Sequence, residues 1–180
     1  MYQGTNKTAC SSQRQIADAM LALMRDTPFA ELTVSAVCQK ARVSRATFYS
    51  LFQSKENVIL YLLMQDCCDA PEQGTGDALR LLCRSYSAYV ARQAELLRLL
   101  SAHRLLPLMQ GILNEFLTGC ACFQACIRED LRPYAASYVA AGLTSIAEIY
   151  VREASGSSAL EDIAYALLSG RLLSSDDIAE

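Results

Sequence analysis

Three helix starts fall within the thirty-one residues from Thr33 to Leu63, TVSAVCQKARVSRATFYSLFQSKENVILYLL, and this crowding restricts the fold more than any other feature. Thr33, Ser44 and Ser54 each stand directly before an apolar pattern of helical period. A hydroxyl there accepts a hydrogen bond from a first-turn amide that has no partner inside the helix. Starts so closely spaced imply short helices set at angles, with a turn of about three residues after Ala41.

In the first of these helices Val34, Val37, Cys38 and Ala41 follow the i, i+3, i+4, i+7 spacing of one buried face. The helix opened by Ser44 turns Phe48, Leu51 and Phe52 inward. That leaves Arg45, Ala46, Thr47, Tyr49 and Ser50 outside, a set suited to a DNA groove. A guanidinium makes bidentate bonds to guanine, a small methyl meets thymine, and hydroxyls reach phosphates. Lys55, beside the helix start at Ser54, is placed to clamp a backbone phosphate. The pattern is that of a helix-turn-helix.

The stretch KARVSRATFYSLFQSKENVI resembles the tetracycline-repressor-like (TetR) family of one-component regulators. That family commonly shows Ala-Gly-Val-Ser, a variable pair, Thr-Phe/Leu-Tyr, a variable pair, Phe, and then Ser/Asn-Lys-Glu. This chain matches at Ala41, Val43, Ser44, Thr47, Phe48, Tyr49, Phe52, Ser54, Lys55 and Glu56. The resemblance implies that the helix after the turn reads the major groove, and that Thr33, Thr47, Tyr49 and Lys55 hold phosphates. Arg42 departs from the family's glycine at a position where a positive φ is expected. Its cost is roughly 1 kcal/mol, offset where the guanidinium gains a phosphate; a purely solvated Arg42 is equally compatible with the sequence.

Charge supports a DNA-facing end. The chain carries −3 overall, yet residues 1–60 hold seven Lys/Arg against four Asp/Glu, while residues 61–180 hold nine against fifteen. All three lysines, Lys7, Lys40 and Lys55, lie in the first part. A positive head on an acidic body orients the molecule toward DNA, although an excess of three charges also arises by chance.

The fold expected is all-α, with a three-helix N-terminal head carrying the helix-turn-helix, joined to a C-terminal helical bundle, about nine helices in all. Ser11 or Ser12 is the expected cap of the opening helix, which carries Ile16, Met20, Leu23 and Met24 and ends near Thr27-Pro28. Residues before Ser11, Lys7 included, then form an arm or a frayed end. Phe29 and Leu32 plug the core between this helix and the next. The division expected is 1–55 for the DNA-binding domain, 56–73 for a connecting helix and linker, and 74–180 for effector binding and dimerisation. The helix after Ser54 runs to about Asp69, and APEQGTG is the clearest break.

Leu79, Leu82, Cys83, Tyr86 and Val90 trace a stripe, and Leu96 to Leu100 suggest a short helix after it. Pro107 starts another helix, apolar on nearly all sides to about Arg128 and therefore expected in mid-bundle. The helix from Pro133 has small residues, Ala135, Ala136, Ala140, Ala141 and Gly142, that permit close approach. Ser158 and Glu161 form a capping-box pair for the last helix, with Leu160, Ile163, Ala164, Leu167 and Leu168 on one broad face.

Cys83, Tyr86, Tyr89, Met109, Phe116, Cys120 and Phe123 are the candidates for an effector pocket; ordinary core packing explains each of them equally well. The TetR resemblance implies a four-helix dimer interface from the last two helices, with Tyr138, Ala141, Ile146, Ile149, Leu160 and Leu167 as candidates; the alternative is that both stripes complete the monomer core. A two-fold reader needs half-sites about 34–36 Å apart.

Eight cysteines raise a redox or metal sensor as an alternative, through Cys67-Cys68 or the group Cys120, Cys122 and Cys126. On one helix Cys120 points about 160° from Cys122, so the three do not converge, and no CxxC pair or nearby histidine completes a tetrahedral set. No metal and no cofactor is therefore expected. His103 is the single imidazole and has no nucleophile, metal pair or glycine-rich phosphate loop beside it, so no enzyme is expected. No apolar run reaches the ~18 residues of a membrane span and the polar start is not a signal peptide, which points to the cytoplasm. The sequence thus reads as a homodimeric regulator, a repressor by expectation, binding palindromic double-stranded operator DNA and answering to a small effector. A helical adaptor that binds another protein remains a further alternative.

Overall fold

The computed structural model describes residues 6–65, 78–153 and 157–170, apart from the side chains of residues 78, 122, 126 and 157–159. Among the described residues the regular structure is wholly helical. Its ten α-helices are α1 (Lys7–Met24), α2 (Val34–Ala41), α3 (Arg45–Leu51), α4 (Lys55–Met64), α5 (Ala78–Arg92), α6 (Ala94–Ala102), α7 (Pro107–Gly119), α8 (Ala121–Cys126), α9 (Arg132–Glu153) and α10 (Ser157–Leu168), with a 3-10 turn at Glu129–Leu131. The chain divides into two compact units, Met1–Gln65 and Asp66–Glu180. The expected extension of α4 to Asp69, the APEQGTG break and Cys67-Cys68 lie outside the described residues, as does the side chain of the expected Ser158 cap, whose backbone falls within α10.

In the first unit α1 packs against α2, α3 and α4. Ile16, Met20 and Met24, on one face of α1, are essentially without exposed surface, as are Val37, Phe48, Phe52, Val58, Ile59 and Leu63 on or beside the helices that pack against it. Phe29 and Leu32 are buried in the α1–α2 connection, as their position in the pattern anticipates. The start of α1 corrects the sequence reading: Asn6, not Ser11 or Ser12, is the cap, its Oδ1 accepting from the amides of Thr8 at 2.9 Å and Ala9 at 3.5 Å. Lys7 is therefore the first residue of a helix rather than part of an arm.

In the second unit α9 packs against α6, α7, the 3-10 turn and α10, while α5 packs against α6, α8 and α10. Leu82, Leu117, Ala136 and Ala140 form a buried cluster, flanked by Leu113, Phe116 and Val139. Close approach to α9 uses Ala136, Ala140 and Ala147; Gly142 contributes nothing to it, since it is exposed and a Cβ there would meet no atom within 4 Å. On the surface Arg80 bonds Asp162 at 2.7 Å and covers the Tyr165 ring at 4.5 Å, tying α5 to α10. These exposed pairs set the docking of α10 more than they stabilise it.

The stretch after Pro107 differs from its expected form. Cys120 is extended (φ −79°, ψ 111°), so the chain leaves α7 at Gly119 and restarts as α8. Within α7 only Met109 and Leu117 are fully buried, while Ile112, Leu113 and Phe116 stay partly exposed. The helix is not enclosed in mid-bundle. Its apolar flank borders a cleft instead.

Candidate nucleic-acid interface

The three predicted caps form. Thr33 accepts from the Ala36 amide at 3.1 Å, Ser44 from the Thr47 amide at 3.0 Å, and Ser54 from the Asn57 amide at 3.2 Å. Each is worth about 1 kcal/mol to its helix. Between α2 and α3 the Val43 amide reaches back to the Cys38 carbonyl at 3.0 Å, which closes a Schellman turn. That closure requires a left-handed residue, and Arg42 supplies it at φ 56°, ψ 38°.

Phe48, Leu51 and Phe52 anchor α3 from below. Phe48 meets the Tyr49 ring edge-on at 5.6 Å, and Phe52 meets Tyr61 of α4 at 5.4 Å. The opposite face carries Arg45, Ala46, Tyr49 and Ser50, all exposed, with Tyr49 45% accessible. Thr47 is half-buried, and its hydroxyl lies 2.8 Å from that of Ser44. Beneath the helix, burial pushes the Cys38 thiol above its ordinary value, with the Arg45 charge pulling it partly back. Cys38 is therefore a neutral, packed side chain.

Lys55 is engaged differently from the sequence reading. Its ammonium donates to the carbonyls of Leu32 at 2.7 Å and Phe29 at 2.9 Å, and it lies 4.6 Å from the centre of the Phe29 ring. A cation held by two carbonyls and an aromatic face is committed to its own chain. It fixes the segment that presents Thr33 and the start of α2. Asn57, which the sequence reading passed over, joins α4 to the end of α3 by donating from Nδ2 to the Phe52 carbonyl at 2.6 Å. The signal available for it was only an asparagine three residues after a capping serine.

The pocket candidates separate into three groups. Tyr86, Tyr89, Met109 and Phe116 line one apolar cleft of the second unit, together with Ile112 and Leu143. Its volume of about 30 Å³ leaves room for ordered water and is far below that of a ligand pocket. The Tyr86 hydroxyl donates to the Leu143 carbonyl at 2.5 Å, and burial drives its pKa strongly upward. Cys83 and Cys120 are buried but do not line this cleft, and Phe123 borders a separate, larger cavity. The structure therefore brings four of the seven candidates together and sets Cys83, Cys120 and Phe123 apart from them.

Of the dimer candidates, Tyr138 is 78% exposed, Ile149 and Leu167 are exposed, and Ala141 and Ile146 are partly so. Leu160 is fully buried in a single chain and belongs to the subunit core, which corrects its assignment to an interface. Tyr134 and Ile163 are also exposed. Tyr134, Tyr138, Ala141 and Ile149 fall on one side of α9, within roughly 80° at the helical repeat.

Among the described residues no group of three or more His, Cys, Asp or Glu is arranged to hold a metal, and no helix is long and apolar enough to cross a membrane. Cys10, Cys38, Cys83 and Cys120 are thiols rather than disulfides.

A family model described as bacterial regulatory proteins, tetR family, matches residues 16–62. The chain is similar to the HTH-type transcriptional regulator YxbF of Bacillus subtilis (strain 168), with 30% identity over 69 residues, 38% of this chain and 17% of that protein. It is likewise similar to the HTH-type dhaKLM operon transcriptional activator DhaS of Lactococcus lactis subsp. lactis (strain IL1403), with 30% identity over 94 residues, 52% of this chain and 44% of that protein. The chain thus spans less than half the length of either curated relative. A solved structure titled dihydroxyacetone kinase operon activator DhaS is similar at a TM-score of 0.49 and 19% identity, covering 89% of this chain and 96% of that one. Residues 16–62 thus form a helix-turn-helix domain of the type found in the tetR family of bacterial regulatory proteins.

Proposed function

We propose that the chain is a one-component transcriptional regulator that binds palindromic operator DNA as a homodimer and is modulated by a small effector held in the second unit. The observation that carries this reading is the exposed face of α3, Arg45, Ala46, Tyr49 and Ser50, on a helix pinned from below by Phe48, Leu51 and Phe52. Arg45 is the candidate for bidentate contact with guanine and Ala46 for contact with a thymine methyl. Thr33, Arg42, Thr47, Tyr49 and Ser50 are the candidates for phosphate contact. Lys55 contributes by holding the segment behind Thr33.

The exposed apolar faces of α9 and α10 are the proposed dimer surface, since a two-fold protein places two reader helices on successive major grooves. Effector binding acts by population shift, through different affinity for the DNA-competent pose and the alternative. The effector enters where the apolar flank of α7 faces Tyr86 and Tyr89, and a cleft of about 30 Å³ opens to admit it.

Repression by occupying the operator is the expected sign. DhaS, the relative that matches 52% of this chain, is described as an activator. Selection of bound sequences from a random DNA pool tests the central claim: a palindrome with half-sites about one helical turn apart supports it, and a pool without enrichment overturns it. A reporter fused to the selected operator then gives the sign.

A further inference from the structure

A second concavity of the Asp66–Glu180 unit is chemically unlike the apolar cleft. It has a volume of about 480 Å³, within the usual range of ligand pockets. The wall is formed by the C-terminal half of α7, by α8, and by the chain from the 3-10 turn into α9. Leu117 and Phe123 give it an apolar side, and Asn114, Gln124, Glu129 and Arg132 give it a polar one.

The polar side is incompletely satisfied. Asn114 Oδ1 is sealed from solvent and receives no hydrogen bond among the described residues. A buried acceptor in that state has lost its water without gaining a partner, which native proteins rarely tolerate away from a ligand or a bound water. The two charges are also uncommitted. Arg132 directs Nε to the Ile127 carbonyl at 3.3 Å, which orients the guanidinium plane, and neither Arg132 nor Glu129 is in an ion pair among the described residues. Gln124 is held in place through its Nε2, which donates to the Thr118 carbonyl.

These groups ask for three things of a ligand: an N–H donor for Asn114, a positive charge for Glu129 and a negative, planar group for the Arg132 fork. We infer that this cavity is a binding site for a small amino carboxylate, a free amino acid, taken as its zwitterion. The ligand carboxylate pairs with Arg132, its ammonium faces Glu129 and its side chain lies against Phe123, while a rotation of the Asn114 side chain turns the sealed Oδ1 toward the ammonium. A neutral polyol satisfies Asn114 and leaves both charges unmatched; a simple carboxylate satisfies Arg132 alone. The site rests on the regulator reading for its biological purpose, as a second input beside the apolar cleft, but not for its chemistry.

The test is a thermal-shift screen of the full chain against the proteinogenic amino acids, each at millimolar concentration, followed by calorimetric titration. The best binder is compared with its α-hydroxy counterpart and with the amine that lacks its carboxylate. At least one amino acid should raise the melting temperature, and both analogues should bind about tenfold more weakly or worse. Arg132→Gln and Asn114→Leu should each weaken binding by at least about tenfold. Asn114→Leu should melt no lower than the parent without ligand, because it removes the orphaned acceptor at similar volume, so lost binding is not lost folding. The inference is overturned if no amino acid binds, if the hydroxy acid binds as tightly, or if both variants keep the parental affinity. A gel shift on the selected DNA runs in parallel. Protein that binds DNA but no amino acid leaves the regulator reading intact and removes this site; the reverse result keeps the site and removes the regulator reading.

Discussion

The ammonium of Lys55 donates to the carbonyl of Leu32 at 2.7 Å, across twenty-three residues of sequence, and a second bond to Phe29 makes the contact a clasp around the α1–α2 connection. Hydrogen bonds to a charged donor are worth more than neutral ones, so Lys55→Met should lower the stability of the first unit by about 2 kcal/mol. Because the clasp positions Thr33 and the start of α2, DNA affinity should fall equally on operator and random sequences. The slope of log affinity against log salt should stay unchanged. A slope reduced by about one would instead make Lys55 a direct phosphate ligand.

Arg42 occupies the left-handed region at φ 56°, closing the turn before α3. A β-carbon is disfavoured there, so Arg42→Gly should stabilise the unit by about 1 kcal/mol, even after the greater chain entropy of glycine is counted. The same change should weaken DNA binding if the guanidinium meets a phosphate. Paired measurement of melting temperature and salt-dependent affinity separates the two effects, and a lower melting temperature would refute the strain argument.

What could be read from the sequence follows the range of each interaction. The caps at Thr33, Ser44 and Ser54 act on amides three residues away, so the local string contains both partners. The left-handed turn was legible only through the resemblance, because Arg42 stands where the TetR family has glycine; the closure from Val43 to Cys38 gives the physical reason. Lys55 was not: its partners lie in a loop that only the packing of α4 on α1 brings near. The true start of α1 was obscured because Asn6, Thr8, Ser11 and Ser12 are all capable caps within one turn or two. In α10 apolar residues surround much of the helix, so periodicity could not tell that Leu160 faces the subunit's own core while Ile163 and Leu167 face outward. The break at Cys120 carries no proline, and Gly119 alone is a weak stop.

Arg45 begins α3 on its exposed face, directly after the Ser44 cap. If its guanidinium reads a guanine, Arg45→Ala should cost about 1–3 kcal/mol on the selected operator and relax preference at one base pair. Competition binding against a library with single-base changes measures this. Equal loss on every sequence would reassign Arg45 to the phosphate backbone.

Tyr138, at 78% exposure, lies on the same side of α9 as Tyr134, which is 74% exposed. Two large aromatics so open to water cost nothing to replace in a monomer. Tyr138→Glu should therefore leave the helical circular dichroism intact while halving the mass seen by light scattering, because it buries a charge in the proposed interface. Operator affinity should fall with it. Unchanged mass would remove this face from the dimer.

Tyr86 donates its hydroxyl to the Leu143 carbonyl, and burial raises its pKa well above that of a free phenol. Ionisation is thus penalised in the folded chain alone. Below about pH 10 both states keep the proton and Tyr86 has no influence on pH dependence; above it the unfolded chain gives up the proton first, and stability declines as pH rises. Tyr86→Phe should cost about 1 kcal/mol at neutral pH through the lost hydrogen bond. It should also flatten the alkaline decline relative to the parent. Urea titrations of both proteins on either side of that pH measure the difference, and parallel curves would mean that Tyr86 is hydrated in solution.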